Sequence, residues 1–280
     1  MKKLGGALSI VLALSLSNSV AFAEPDENTL VVEGETLVTD LEAPEDSPLD
    51  HIYSGWRFRS PETQSLQTDD FENPAFAAVE NAIAEFETVD GDAGKSCASC
   101  HSIGDFEGLR ASLPRWNEKL GKPETLEMII NRSRTEHMQA EPWKWEAPEM
   151  LAMTSYIGLQ SRGQPVDVQT DGPMEEWAKK GEELYYAKVG QLNMSCSQCH
   201  EDNYGNMIRA DHLSQGQING FPVYRLKWGG LGSIHRRFSG CMKNIRAEPY
   251  KHGSDEFIAL ELYVASRGEG LSVETPAVRN

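Results

Sequence analysis

Between residues 73 and 87, apolar side chains fall at Phe76, Val79, Ile83 and Phe86 with polar positions between them. Spacings of three and four residues make one face of an α-helix, and Pro74 suits its first turn. The same reading predicts helices over 125–132, behind Pro123, and over 149–162, where Gly163 stands at a helix-stop position. From Gly163 to Pro173 the pattern breaks into glycine, proline and short polar residues, which predicts a linker. Beyond it the pattern restarts. A helix is predicted over 173–189 with Trp177, Leu184 and Tyr185 on one side, and another over 255–267. Residues 201–240 are rich in glycine and predict loop with short helices. Strand content is expected to be minor.

Two short runs interrupt these helices in the same way: Cys97-Ala98-Ser99-Cys100-His101 and Cys196-Ser197-Gln198-Cys199-His200. Cys-x-x-Cys-His is the attachment sequence of a c-type haem. The two thiols become thioethers to the porphyrin, and the adjoining histidine becomes an axial ligand of the iron. The chain has only five cysteines, so two such runs are not chance. They predict two covalent haem c groups, bound through Cys97, Cys100, Cys196 and Cys199 with His101 and His200 on the irons.

The recurrence goes further. Each half reads as helix, haem motif, Ala-Glu-Pro-aromatic loop (Ala140 to Trp143, Ala247 to Tyr250) and closing helix. The closing helices end Ser161-Arg162-Gly163 and Ser266-Arg267-Gly268. Four features in one order predict a duplication. The expected fold is all-α: two tandem domains, 51–165 and 166–280, each resembling a class I cytochrome c. Gly181 and Tyr185 match that family's first-helix pattern.

A low-spin c-type haem needs a second axial ligand. For the second haem the candidate is Cys241, which the duplication puts in the distal position just before the closing helix. The alternatives are Met207 and Met242. At the first haem the equivalent position is Ser133, a poor iron ligand. His137, four residues on, is the candidate there, with Met138 or a five-coordinate iron as alternatives.

The N-terminus carries Lys2 and Lys3, an apolar stretch from Leu8 to Val20 and Ala21-Phe22-Ala23, the pattern of a secretory signal over 1–23. No later segment is apolar enough to span a membrane, so an exported protein is expected. Residues 24–50 hold ten acidic residues and no basic one. They predict a solvated acidic arm or a segment lying along a partner subunit. The formal charge of −17 argues against nucleic acid as a partner.

One run opposes that charge. From His212 to Ala247 there is no acidic residue, whereas Arg225, Lys227, Arg236, Arg237, Lys243 and Arg246 are basic. Haem propionates could use such cations. Arg237 also stands four residues before Cys241, which places a forked oxyanion donor beside a thiol. That pair, Arg237-Phe238-Ser239-Gly240-Cys241, with the two haem motifs and the two Ala-Glu-Pro-aromatic loops, resembles the SoxA family, the haem-bearing subunits of the SoxAX complexes of bacterial sulfur oxidation. The resemblance implies that Cys241 is an axial ligand and carries a persulfide, and that Arg237 anchors thiosulfate. It implies oxidative conjugation of thiosulfate to a cysteine of a SoxYZ-like carrier, electron transfer to a SoxX-like small cytochrome in a heterodimer, and a periplasmic location. Family members with two haems generally have cysteine at the first distal position as well, where this chain has Ser133. Rival readings are a dihaem electron carrier without substrate and a thiosulfate dehydrogenase forming tetrathionate.

Overall fold

The computed structural model describes residues 29–45 and 47–280; the expected signal sequence lies outside them. Strands β1 (Val31–Val32) and β2 (Glu35–Thr36) form a hairpin, and β3 (Asp40–Glu42) pairs with β4 (His51–Tyr53). Helices α1 (Pro61–Ser65) and α2 (Phe76–Glu87) follow, then the first haem motif on a 3-10 turn, the hairpin of β5 (Arg115–Asn117) and β6 (Lys122–Glu124), helix α3 (Leu126–Ser133), a π turn (Arg134–Met138) and α4 (Pro148–Leu159). The second half runs α5 (Glu175–Tyr186), α6 (Cys196–His200), the hairpin of β7 (Met207–Ile208) and β8 (Asp211–His212), then β9 (Val223–Arg225), β10 (Gly230–Gly232), α7 (Ile234–Asn244), α8 (Asp255–Ser266) and β11 (Ala277–Arg279).

The helices predicted from periodicity are present, but the fold is not purely α. Its strands are two or three residues long, too short for an alternating pattern to show in sequence. Three of them form one sheet in the order β10-β9-β11, with β11 parallel to β9. That pairing returns the C-terminus to the loop region of the second half.

Helix α2 packs on α4, and α5 on α8. The α5–α8 crossing depends on Gly181. A Cβ there would lie 2.1 Å from the Ala259 carbonyl and 2.6 Å from Tyr263 Cβ, so only glycine lets the backbones approach. Tyr185, one turn on, is fully buried in the same seam. Each pair forms its own core. Phe86, Leu126, Ile130, Met150, Met153 and Ile157 pack round Cys97 in the first; Tyr185, Ile218, Phe257, Leu260 and Val264 pack round Cys196 in the second.

The expectation of a solvated acidic arm is corrected from residue 29 onward. Leu30, Val32 and Leu37 are at most 2% exposed and form a cluster with Trp56. Alternation explains it: the apolar members of the stretch point inward while the carboxylates stay in water. The arm lies on its own chain. Val38 N–H donates to Ser272 Oγ at 2.9 Å, and Ser272 N–H to the Val38 carbonyl at 3.0 Å. Residues 51–73 likewise lie against the second half: Tyr53 bonds Gln215, Ser54 and Gln67 bond the buried carboxylate of Glu274, and Asn73 bonds the Pro276 carbonyl.

Candidate active site

Ser195 starts α6 by a reciprocal cap: its Oγ accepts from Gln198 N–H at 3.4 Å, and Gln198 Oε1 accepts from Ser195 N–H at 3.0 Å. The helix so fixed carries Cys196 and Cys199 three residues apart, hence on one face, and ends on His200. The Nδ1 of His200 lies 2.7 Å from the Ser214 carbonyl. A carbonyl only accepts, so Nδ1 bears a proton there, and Nε2 is the ring nitrogen left to face Cys241 or a metal. The tertiary structure holds Ser214 there. Gln215 accepts from Tyr53 N–H at 2.7 Å and donates to the His51 carbonyl at 2.9 Å, so β4 of the N-terminal segment clamps it. Gly216, at φ +84°, passes so close that a Cβ would sit 3.0 Å from His200 Cγ.

Helix α7 brings Cys241 to the other side. The Cys241 thiol lies within hydrogen-bonding range of the His200 ring. Burial pushes that thiol up, but the Arg237 guanidinium, the contact with His200 and the charge of Arg225 outweigh it and hold it at about 6. The attachment thiols behave oppositely: burial, with Cys241 and Cys199 close by, pushes Cys196 up to about 12, and burial also raises Cys199. Thus Cys241 is favoured as a thiolate, whereas Cys196 and Cys199 are held as thiols. Met242 packs into the apolar core and Met207 is 53% exposed on a hairpin; neither has the contact with His200 that Cys241 makes.

The six cations divide into two sets. Arg225 contacts Asp211 at 3.2 Å, donates to the Asn280 carbonyl at 2.6 Å and stacks on Trp228. Lys227 reaches Asp211 at 3.6 Å, and Arg59 pairs with the same carboxylate. Arg236 lies 4.2 Å over Trp228 and bonds the Leu231 carbonyl. Asp211 stands one residue outside the acid-free run, so the sequence hid the counter-charge of Arg225 and Lys227. Lys243 and Arg246 are exposed. Arg237 is half-buried one turn before Cys241, and among the described residues its guanidinium has neither a carboxylate nor a hydrogen-bond partner. A cation left unpaired beside a thiolate is a donor set for an oxyanion.

The first site shares the plan and differs in its distal residue. The Cys97–Cys100 turn leads to His101, whose ring lies 5.3 Å from Phe106. Thr125 and Ser233 precede α3 and α7 at equivalent points, and Ala140 and Ala247 donate to the Arg134 and Met242 carbonyls. Counting from those anchors puts Ser133 in the place of Cys241. The first half then has one extra residue before its left-handed residue (Gln139, φ 55°; Arg246, φ 57° in the second), and the π turn absorbs it. His137 lies exposed on that turn and Met138 is 5% exposed. Arg134 is taken up by Asp90, the Glu141 carbonyl and the Trp143 ring at 3.9 Å.

The family described as "SoxA/TsdA, cytochrome c domain" matches residues 81–166 and 180–273. The chain is 49% identical to "L-cysteine S-thiosulfotransferase subunit SoxA" of Pseudaminobacter salicylatoxidans, over 96% of this chain and 94% of that protein. It is 48% identical to the subunits of the same name from Rhodovulum sulfidophilum, over 100% of both chains, and Paracoccus pantotrophus, over 100% of this chain and 98% of the other. Among solved structures, "Crystal structure of SoxXA from P. pantotrophus" holds a chain that superposes with a TM-score of 0.89 at 49% identity, covering 92% of this chain and 100% of that one.

Proposed function

The chain belongs to the SoxA family of L-cysteine S-thiosulfotransferase subunits, and from that premise we propose how its own residues perform the thiosulfate–cysteine conjugation of that family. The observation that carries the proposal is the unpartnered Arg237 guanidinium beside the Cys241 thiolate.

In this reading Arg237 holds the sulfonate oxygens of thiosulfate by its fork, which turns the outer sulfur toward Cys241. Cys241, the proposed carrier of extra sulfur during turnover, joins the outer sulfur of thiosulfate in a sulfur–sulfur bond whose formation gives up two electrons, and attack of the carrier thiolate on that outer sulfur then takes the thiosulfonate away and releases the Cys241 thiolate. The net change is carrier thiol plus thiosulfate giving a cysteine S-thiosulfonate, one proton and two electrons. Haem c, when bound, supplies an electron sink that fills one electron at a time. His200, with Nδ1 held by Ser214, and Cys241 would ligate the iron of the second haem; Cys196 and Cys199 would hold it covalently. Cys97, Cys100 and His101 would hold the first. The recurrent order of elements and the shared anchors of α3 and α7 support two tandem class I cytochrome c-like units, proposed at 51–165 and 166–280. A pyridine haemochrome assay on the mature protein is expected to give two haems per chain.

The partners proposed are a SoxX-like small cytochrome in a heterodimer, supported by the solved SoxXA relative, and a SoxYZ-like carrier thiol, both in the periplasm. No helix among the described residues is long and apolar enough to cross a membrane. Product analysis tests the reaction. With thiosulfate and a carrier thiol protein, the adduct mass on the carrier cysteine is expected. Tetrathionate formed without any carrier would instead make the chain a thiosulfate dehydrogenase, and no product in either case would leave an electron carrier.

For the first iron, His137 is proposed as the sixth ligand. It stands four residues after Ser133, and imidazole binds ferric iron well where a hydroxyl does not. The His137→Ala protein is expected to lose the low-spin signal of that haem. If the signal persists, Met138 is the next candidate. A thiolate-type signal in Ser133→Cys would show that the distal position still reaches the iron, consistent with its register with Cys241.

A further inference from the structure

A second cluster of titratable groups lies buried where the two halves meet, and the conjugation reaction does not use it. Glu127 is on the first turn of α3, His235 on the first turn of α7, and Glu261 in the middle of α8. Glu127 and His235 each lie two residues after the residue that precedes their helix, so the two halves present equivalent positions to one another. They are 8%, 0% and 4% exposed, in the order Glu127, His235, Glu261. Trp145 of the first half stacks flat on His235, with ring centroids 4.7 Å apart and planes 5° apart.

The hydrogen bonds fix the state of the imidazole. Gly253 N–H donates to His235 Nδ1 at 3.0 Å, so Nδ1 carries no proton and the ring is neutral, with its proton on Nε2. Nε2 comes within 3.1 Å of Glu261 Oε2 but is not aligned as a hydrogen bond, and both atoms are left without a hydrogen-bond partner. Beside them is a cavity of ≈ 10 Å³, about the room one water needs. Glu127, Glu261, Ser233, Thr154 and Arg110 line it. Arg110 is the cation of that wall. It is 8% exposed and bonds only carbonyls, of Phe221 at 3.2 Å and Leu113 at 3.5 Å.

With the iron centres reduced, two buried carboxyls, one buried cation and a neutral histidine balance only if one carboxyl holds a proton, whereas the added positive charge of the oxidised centres lets both be carboxylates, since uncompensated charge is expensive to bury. Burial and the neighbouring Glu261 both push the Glu127 carboxyl up. The other charged groups nearby have partners of their own or lie farther off. Glu146 bonds Ser233 and is raised by burial, Arg236 is on Trp228, and the His252 ring is 6.2 Å from His235 and lowered by burial.

We propose that Glu127, Glu261 and His235 form a buried proton site with one bound water, which takes up a proton when the adjoining haem centres are reduced and gives it up when they are reoxidised. The site lies at the base of both distal helices, α3 leading to Ser133 and α7 to Cys241. The inference rests on the haem-binding reading and not on the identity of the substrate. The thiol–thiosulfate oxidation supplies two electrons and releases one proton to solvent. On reduction, a carboxylate of the pair takes one proton from solvent and becomes a carboxylic acid. On reoxidation by the electron-accepting cytochrome, that proton returns. Reduction removes one positive charge from each iron centre, and a less positive surrounding favours the neutral carboxyl.

Redox titration of the haem-loaded protein at a series of pH values tests this. At least one midpoint potential is expected to fall as pH rises, by up to 59 mV for each tenfold drop in proton concentration, and to level off on either side of that window. Glu127→Gln and Glu261→Gln should flatten the slope, whereas Glu136→Gln, an exposed carboxylate paired with Lys119, should not. Flat potentials in the unmodified protein, or an undiminished slope in both glutamine variants, would overturn the proposal. Should the variants fail to fold, redox-difference infrared spectra of the unmodified protein decide. A carboxylic C=O band that grows on reduction and shifts in heavy water supports it, and the absence of such a band overturns it. A chain that held no haem would show no one-electron wave, a failure distinct from a flat slope.

Discussion

Cys241→Met is expected to keep both haems, raise the potential of the second and abolish conjugation. The covalent attachment depends on Cys196 and Cys199, which the substitution leaves in place. An anionic thiolate stabilises iron(III) more than a neutral thioether does, so methionine raises the potential and removes the thiolate signature from the EPR spectrum. The thioether also cannot carry a persulfide. Loss of a covalent nucleophile acts on a scale of about a thousandfold or more, and turnover should fall by at least that much. An EPR spectrum identical to the parent's would remove Cys241 from the iron. Full turnover would remove it from the chemistry. The two readouts separate its two proposed roles.

Arg237→Ala is expected to cut turnover by about ten- to a hundredfold while leaving the visible spectrum unchanged. A charge-assisted hydrogen bond to an oxyanion is worth roughly 1.5–3 kcal/mol, and about 1.4 kcal/mol corresponds to tenfold. Arg237→Lys should recover only part, because a point charge replaces a fork. The control must be a cation that holds nothing together. Arg225 looks suitable in sequence, but it is locked between Asp211, Asn280 and Trp228, and its removal would disturb the fold. Lys243 is exposed on the same helix, so Lys243→Ala is the clean comparison. Equal losses in Arg237→Ala and Lys243→Ala would reduce the run to a diffuse positive field. A changed haem spectrum in Arg237→Ala would assign the arginine to a propionate.

The sequence by itself determined whatever depends on short spacing. Two cysteines and a histidine within five positions carry the attachment pattern of a c-type haem, so the proposed attachments at Cys97 to His101 and Cys196 to His200 were legible without a structure. The long helices announced themselves through apolar spacing in α2 and α5, where one side is buried, and through continuous apolar runs in α4 and α8, which are buried on most sides. Arg237 and Cys241 are close in any local conformation at four residues of separation, but the regular helix they share was not legible, because Ser239 and Gly240 between them are poor helix formers. The register of Ser133 with Cys241 was legible too, although the π turn that absorbs the extra residue beyond it was not, since an inserted residue leaves no periodic trace.

Only the tertiary structure decided the partners that lie far along the chain. Asp211 neutralises Arg59, Arg225 and Lys227 from outside the run that seemed free of acid. Leu30, Val32 and Leu37 of the acidic N-terminal stretch pack with Trp56, and its neighbour β4 clamps the Ser214–Gly216 segment that orients His200. Glu127, His235 and Glu261 meet across 134 residues of sequence. None of these pairings has a local signature, because the energy that fixes them is burial. A carboxylate and a guanidinium far apart in the chain attract strongly only once folding has taken both out of water. The chemistry of the thiolate therefore reads from one helix, and the environment that leaves Arg237 free beside it reads only from the folded chain.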